Sequence, residues 1–223
     1  MSAIREFIDS LTLDGVKWMK LEDICSVITD GSHFSPPAVD ENGFYMPSVK
    51  DMRENGFDYS ACKRISEADY QELVRNGCRP QVNDVLIAKD GSMLKYVFAV
   101  EEEKDIVILS SIAILRPLTH LIYPKYLAHY FRQEKFREKV IREQSSKGGV
   151  PRIVLKNFKR IEIPVPPIEV QRKIVEILDN FSELTAELTA ELTAELTARQ
   201  KQYEYYRDNL LNFSKLNGGV SNN

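Results

Sequence analysis

The sequence predicts a mixed α/β domain followed by one long α-helix that pairs with another helix in a coiled coil. Short β-branched and helical segments alternate up to the proline cluster at 164–167, a pattern typical of a mixed domain with many loops. No proline or glycine then occurs from Ile168 to Phe213, which favours a continuous helix. We therefore divide the chain into a mixed domain at 1–166, a helix at 167–213 and a disordered tail at 214–223.

Apolar patterning places the elements of the mixed domain. Val85–Ala88 and Val97–Val100 flank the loop AKDGSMLKY and are predicted to form a pair of strands. Ile106–Leu115 is continuously apolar and β-branched, so we expect a buried strand there. Trp18 is expected in the core. The remaining predictions are three helices and a last strand ended by proline, at 2–13, 67–76, 124–145 and 161–165 respectively.

The long helix carries an apolar stripe that a domain of this size cannot cover. A helix of 46 residues extends about 70 Å. On either side of a central repeat the stripe residues recur at alternating spacings of three and four, the heptad pattern of a coiled coil. We predict that a partner helix contacts Ile174, Ile177, Phe181, Leu184, Leu188, Leu192, Leu196, Tyr203, Tyr206 and Leu210.

The central repeat, SELTAELTAELTAELTA at Ser182–Ala198, changes the spacing of the stripe to four. Each tetrad adds about 6 Å of rise and about 40° of rotation to a helix and acts as a stutter in the supercoil. One base pair of B-form DNA adds about 3.4 Å and roughly 35°. A helix lying along DNA could therefore move an attached DNA-reading domain by about one base pair per tetrad. The alternative is a slippage-prone repeat that merely tolerates changes in copy number.

Charge is distributed unevenly along the chain. The net charge is −3, whereas residues 125–160 hold 11 Lys and Arg against three acidic residues. A basic face on a neutral body suits a polyanionic partner, and a solvated helix face is the alternative. The three cysteines include no CxxC pair, which argues against a disulfide framework or a zinc site and suits a reducing cytoplasm. No apolar run is long enough for a membrane span.

Catalytic motifs are not evident in the sequence. Ser35–Ala38 (SPPA) lacks the amide or acid and the aromatic residue of an adenine methyltransferase tetrapeptide. The segment Asp84–Lys89 places Ile87 where a metal-dependent nuclease needs a carboxylate. No Gly-Lys-Ser/Thr phosphate loop occurs, and the three histidines do not match a zinc spacing. We therefore expect a chain that is not itself an enzyme and binds no metal or cofactor.

Four loops combine small residues with hydrogen-bond donors, the composition suited to phosphates and base edges. For each loop an ordinary solvated turn is the alternative, and for Lys50 or Arg53 a further alternative is an ion pair with Asp51 or Glu54. His33 ranks below Lys89 and Arg152 as a DNA contact. The predicted DNA-binding residues are Gly31, Ser32 and His33; Lys50 and Arg53; Lys89, Asp90, Gly91, Ser92 and Lys95; and Ser146, Lys147, Gly148 and Arg152.

Several stretches together resemble the specificity subunit of type I restriction-modification systems. The Thr-Ala-Glu-Leu repeat within a long helix is close to a signature of that family. The stretch from Ser146 to Phe181 is similar to the family's exit from a target recognition domain into its spacer helix. WMKLEDICSVITDGSHFSPP at Trp18–Pro37 and YMPSVKDM at Tyr45–Met52 resemble the entry of such a domain, and Asn83–Val100 resembles its central hairpin.

The resemblance implies a DNA-recognition subunit that directs methyltransferase subunits carrying S-adenosylmethionine. Through them it would direct a restriction subunit that uses ATP and magnesium, in the bacterial or archaeal cytoplasm. The usual subunit has two recognition domains and two antiparallel spacer helices, whereas this sequence has one of each. We therefore expect an antiparallel homodimer that reads double-stranded DNA at a palindromic, interrupted site. Alternatives are a coiled-coil adaptor without sequence-specific DNA binding, and an enzyme, such as a nuclease, with an unrecognised site.

Overall fold

The computed structural model describes residue 6 and residues 15–40, 42–145 and 152–213. Two compact units are present, Met1–Val175 and Glu176–Asn223. The predicted tail, and the predicted helix at 2–13 apart from residue 6, lie outside the described residues. The first turns of the long helix belong to the first unit, so that unit extends past the boundary predicted at residue 166.

The elements follow one another in the order of a mixed α/β domain with a C-terminal helix, as the sequence predicts. They are β1 (Lys17–Lys20), α1 (Leu21–Ile24), β2 (Cys25–Asp30), β3 (Phe44–Tyr45), a 3-10 turn (Val49–Asp51), β4 (Met52–Arg53), β5 (Gly56–Phe57), β6 (Arg64–Ile65), α2 (Glu67–Arg75), β7 (Val85–Ala88), β8 (Val97–Ala99), β9 (Ile112–Pro117), α3 (Pro124–Arg132), α4 (Glu134–Gln144), α5 (Leu155–Lys159), β10 (Glu162–Val165) and α6 (Ile168–Leu210).

A four-stranded antiparallel sheet in the order β2-β9-β7-β8 forms the centre of the domain. One face packs against helices, with Leu127 and Phe131 in the same cluster as Ile87. The other face carries Leu86 and packs with Met52. Burial on both faces explains why β7 and β9 are continuously apolar rather than alternating. The strand pair predicted on either side of the loop AKDGSMLKY is confirmed as β7 and β8.

The prediction of one strand over Ile106–Leu115 is wrong in its first half. Strand β9 begins only at Ile112, and residues 106–111, here called the connecting segment, run outside the sheet. Their backbone makes isolated bridges with Tyr45 and Ser32 instead. The apolar residues of this segment are buried as expected, because the segment is covered from several sides. Burial was therefore predictable from composition, and the hydrogen-bond partners were not.

The single long helix predicted over 124–145 is also wrong, because the chain breaks at Gln133 between α3 and α4. Gln133 is extended, with ψ of 122°, although neither proline nor glycine is present. In a continuous helix, residues 131 and 136 would lie about 140° apart around the axis. The break instead brings the ring of Phe136 to 5.5 Å from that of Phe131, centroid to centroid, within the core. Tertiary packing thus overrides helical continuity.

Within Met1–Val175, the first turns of α6 are held against the rest of the unit by a fully buried glutamine. Gln171 Nε2 donates to the carbonyls of Leu121 and Pro166 at 2.9 and 2.8 Å. Its Oε1 accepts from the Tyr123 backbone N–H at 2.7 Å. Both ends of the amide are therefore satisfied, which offsets the cost of its burial. The strand predicted at 161–165 is confirmed as β10 and pairs with β1.

Within Glu176–Asn223, helix α6 continues to Leu210, three residues short of the predicted end. Its repeat threonines form a column, in which the hydroxyls of Thr189, Thr193 and Thr197 donate to the carbonyls four residues earlier at 2.7 to 2.9 Å. This bonding satisfies each hydroxyl locally.

Glycine 31 offers a test of how closely the connecting segment approaches β2. A Cβ atom there would lie 2.1 Å from the Ile108 carbonyl oxygen, a backbone atom that cannot swing aside. We expect Gly31→Ala to lower the free energy of unfolding by about 2–3 kcal/mol, in the range of overpacked cores. Gly56→Ala is the matched control, because nothing lies within 4 Å of its Cβ position, and its effect should stay within about 0.5 kcal/mol. Equal stability of the two variants in denaturant titrations would contradict this packing.

Candidate nucleic-acid interface

The connecting segment brings together three of the four loops that the sequence singles out. The Ser32 N–H donates to the Ile108 carbonyl at 2.8 Å, and the Ser110 N–H donates back to the Ser32 carbonyl at 2.9 Å. The hydroxyl of Ser111 accepts from the Val49 N–H at 3.1 Å, next to Lys50. Its carbonyl accepts from the Lys89 N–H at 3.0 Å. Three loops distant in sequence are thereby hydrogen-bonded to one short segment.

The fourth loop joins through Lys89 and Asp90. The Ile153 N–H donates to the Lys89 carbonyl at 3.1 Å, and Asp90 forms an antiparallel bridge with Arg152. The described part of this loop therefore extends the same group of backbone hydrogen bonds. Ser146, Lys147 and Gly148, which were predicted to bind DNA, lie outside the described residues.

A buried ion cluster lies where these loops meet. The Lys89 ammonium is 3.2 Å from an Asp30 carboxylate oxygen and 3.3 Å from the Asp90 carboxylate. Its side chain is only 7% exposed. The His33 Nε2 lies 3.5 Å from the other Asp30 oxygen, and the His33 side chain is 78% exposed. Asp30 therefore connects the loop after β2 with the loop after β7.

This cluster changes which of the predicted side chains are available to a ligand. Lys89 was predicted as a DNA contact at the hairpin tip, but its ammonium is enclosed by two carboxylates. A buried lysine needs such partners, since an unpaired charge away from water is costly. His33, ranked below Lys89, is the exposed donor. Asp30, which has the central position, was not among the predicted residues, and no local signal in TDGSH marks it.

Gly31 and Ser32 also have structural roles instead of the predicted contact roles. Gly31 is buried, and its N–H donates to the Ile112 carbonyl at 3.2 Å. The buried Ser32 hydroxyl donates to the Phe34 carbonyl at 2.6 Å and accepts from the Phe34 N–H at 3.1 Å. The two residues thus shape the loop, and the exposed side chains that follow are available to a ligand.

Lys50 and Arg53 differ in the freedom of their side chains. Arg53 Nη2 donates to an Asp58 carboxylate oxygen at 2.7 Å, and Nη1 donates to the carbonyls of Lys50 and Met52. Its partner is therefore Asp58, and neither of the carboxylates considered from the sequence. Asp51 instead accepts from the backbone N–H and hydroxyl of Ser48, as in a capping box. Lys50 itself is exposed.

The hairpin between β7 and β8 presents a tight turn with a second exposed cation. Gly91 and Leu94 both have positive φ, 66° and 56°, and the Leu94 N–H donates to the Ala88 carbonyl at 2.7 Å. Leu94 is buried, which fixes the turn on the core. Gly91, Ser92 and Lys95 are exposed. The exposed donors around the four loops are thus His33, Lys50, Ser92, Lys95 and Arg152.

The chemistry available at these loops is binding through hydrogen bonds and charge. Within the described residues, no three His, Cys, Asp or Glu side chains are grouped so as to hold a metal ion. Burial raises the pKa of the Cys25 thiol to about 12 and that of the Cys62 thiol to about 11. Both thiols therefore stay protonated near neutral pH and are poor nucleophiles. No described helix is long and apolar enough to cross a membrane.

The buried ion pair predicts strong coupling between Asp30 and Lys89. Lys89→Met leaves two carboxylates without their cation, so we expect a loss of about 3–5 kcal/mol in the free energy of unfolding. Combining Asp30→Asn with Lys89→Met should recover more than half of this loss. Arg53→Met, at the exposed pair with Asp58, is the control and should have little effect. A Lys89→Met variant as stable as the wild type would show that Lys89 is not buried in an ion pair.

The fold is similar to that of solved type I restriction-modification proteins. The chain matches a protein solved for work on complex assembly and conformational transition of the type I system, with a TM-score of 0.61, 22% identity, and coverage of 91% of this chain and 50% of that one. It also matches the HsdS subunit from Thermoanaerobacter tengcongensis, with a TM-score of 0.52, 22% identity, and coverage of 84% and 45%.

Sequence comparison agrees with the fold. A putative type I restriction enzyme specificity subunit from Haemophilus influenzae is 31% identical over 150 residues, which cover 67% of this chain and 37% of the relative. The chain thus spans well under half the length of this curated relative. A family model described as the type I restriction modification DNA specificity domain matches residues 14–198. Because this match includes both the mixed domain and the repeat, the chain belongs to the type I restriction-modification DNA specificity family.

Proposed function

We propose that this chain is the DNA sequence-recognition subunit of a type I restriction-modification complex and reads one half of a bipartite target. The observation that carries the proposal is the convergence of the donor-bearing loops on the connecting segment. The loops are fixed by backbone hydrogen bonds and by the Asp30–Lys89 ion pair. Donors held on a rigid support suit sequence recognition, because base readout requires accurate placement.

We assign the exposed donors to two kinds of contact, one with phosphates and one with base edges. Lysine and arginine neutralise phosphates and position the protein on the duplex, and serine, histidine and arginine also reach base edges. Lys50, Lys95 and Arg152 supply the positive charge, and His33 and Ser92 supply further hydrogen-bond donors. None of them needs to be a catalyst, and we propose that the chain acts only in recognition.

Helix α6 supports the proposal of a homodimer through its uncovered stripe. From Phe181 to Leu210, the stripe residues are between 54% and 72% exposed. At 100° per residue, all ten predicted contact residues fall within an arc of about 120°, as wide as the apolar face of a packed helix. Ile174 differs from the other predicted partner-helix contacts, because it packs against the core of its own domain.

The charges of α6 favour an antiparallel partner. Residues 176–198 contain six acidic residues and no Lys or Arg, whereas residues 199–213 contain three basic and two acidic residues. A parallel pair would place two segments of charge −6 side by side. In an antiparallel pair with fully overlapping helices, residues 176–182 of each helix lie against residues 199–205 of the other, which include Arg199 and Lys201, and this relieves part of the repulsion. A second, antiparallel copy of the chain would both cover the apolar stripe and lower the charge repulsion.

In the assembled enzyme, we propose that the other activities reside on partner subunits. Methyltransferase subunits would carry S-adenosylmethionine, and a restriction subunit would use ATP and magnesium. The described residues support this division of roles, because they place exposed hydrogen-bond donors around a buried ion pair. The complex would act on double-stranded DNA in the cytoplasm.

Mobility-shift measurements on the full chain with its methyltransferase subunit test the proposal. We expect a sequence-selective shift that Arg152→Ala and Lys95→Ala weaken, by about 1–3 kcal/mol for a base contact or with a lower salt dependence for a phosphate contact. Arg199→Ala removes one positive charge from the helix and should change neither property. Absence of any sequence-selective shift would favour a protein-binding adaptor. Magnesium-dependent cleavage by the chain alone would identify a nuclease.

The spacer role of the repeat is tested by its length. Deleting Thr189–Leu192 removes one tetrad, or about 6 Å and 40° of helix. The half-site should stay the same, and the preferred gap between half-sites should shorten by about one base pair, measured with duplexes whose gap varies in single steps. A variant with Thr189→Ala and Glu191→Gln keeps the length and should keep the gap. A changed half-site with an unchanged gap would contradict the spacer role.

A further inference from the structure

Among the described residues of the first unit, Phe34 is the most exposed aromatic side chain, and its backbone is held by hydrogen bonds. The side chain follows His33 and is 64% exposed. The buried Ser32 hydroxyl bonds to both the N–H and the carbonyl of Phe34, at 3.1 and 2.6 Å. An exposed apolar residue on a flexible loop would require no explanation. Here the Ser32 hydroxyl fixes the backbone of Phe34, and therefore the position of the exposed ring.

The residues after Phe34 are fastened to the neighbouring strand β6. The Lys63 ammonium donates to the Ser35 hydroxyl at 2.7 Å and to the Pro36 carbonyl. The Val39 N–H donates to the Arg64 carbonyl at 3.0 Å. Prolines 36 and 37 restrict the backbone between these anchors. The segment is therefore held at both ends, and ordering it on binding costs little entropy.

The surroundings of Phe34 favour a nucleic-acid partner over a protein. His33 precedes it, and the Lys63 ammonium bonds to the two residues that follow it, Ser35 and Pro36. Protein-docking sites usually offer a wide apolar patch, whereas proteins that kink DNA insert a single apolar side chain between bases and place donors on the adjacent phosphates. A fixed, exposed ring with a histidine before it and a lysine beside the residues after it has the second arrangement.

We propose that Phe34 inserts at a base step beside the half-site and stacks on an unstacked base. The proposal rests on the proposed function, since it requires that these loops face DNA. It assigns to Phe34 a role in specificity, because the cost of opening a base step depends on its sequence and is lowest at flexible pyrimidine–purine steps. The role of the ring is separate from that of the polar donors, which contact phosphates and base edges.

The test uses the full chain with its methyltransferase subunit and duplexes that carry 2-aminopurine at successive positions of the half-site. We expect a fluorescence increase at one step outside the methylated adenine. Phe34→Ala should abolish this increase and weaken binding by about tenfold, within the range of aromatic–base stacking. Phe34→Leu, which keeps an apolar wedge, should retain much of the increase. Signal at the methylated adenine should persist in all variants and reports that the complex assembles.

Trp18→Ala is the matched control, because Trp18 is 55% exposed on β1, contrary to the expected core position, and belongs to none of the four loops. It should leave the affinity and the fluorescence pattern unchanged. Wild-type affinity and fluorescence in Phe34→Ala would overturn the proposal. So would a Phe34→Ala variant that binds DNA normally alone but loses its methyltransferase subunit, since the ring would then be a protein contact. A wild-type complex without sequence-selective binding would instead overturn the proposed function.

Discussion

The connecting segment at 106–111 is the constraint on which the site depends. It runs outside the central sheet, so its backbone groups must find partners that this sheet does not supply. The Val107, Ile108 and Leu109 N–H groups donate to the carbonyls of Tyr45, Cys78 and Pro47 at 3.0 to 3.2 Å. The other hydrogen-bond partners of the connecting segment belong to the loops that carry the exposed donors. Satisfying one buried segment therefore also fixes the geometry of the recognition surface.

A second constraint acts at the same place through charge. Asp30 and Lys89 are withdrawn from water and remain stable only as a pair, so the loops that carry them must stay together. Such a pair contributes more to specifying one arrangement than to net stability. Gly31 also restricts the arrangement of these loops, because its lack of a side chain allows the backbone of Ile108 to approach closely.

The sequence predicted much of the architecture and less of the site. The hairpin of β7 and β8 and the long α6 follow from apolar spacing, which is a local property. The break at Gln133 and the start of β9 at Ile112 depend on distant packing partners, and local patterning contains no trace of them. For the same reason the burial of Lys89 was not predicted, since it depends on Asp30, which lies 59 positions earlier. Composition located the loops, but only the fold distinguishes structural residues such as Ser32 from available ones such as His33.

The helix and the recognition loops lead to one functional consequence when taken together. One domain presents one set of donors, and under the proposed function the apolar stripe of α6 packs against a second, antiparallel copy. Two such copies related by a twofold axis would read the same half-site in opposite orientations. Methylome sequencing of cells that express this chain with its methyltransferase subunit tests this most directly. The account predicts methylation at two identical, inverted half-sites separated by a fixed gap, and an asymmetric motif with two different half-sites would contradict it.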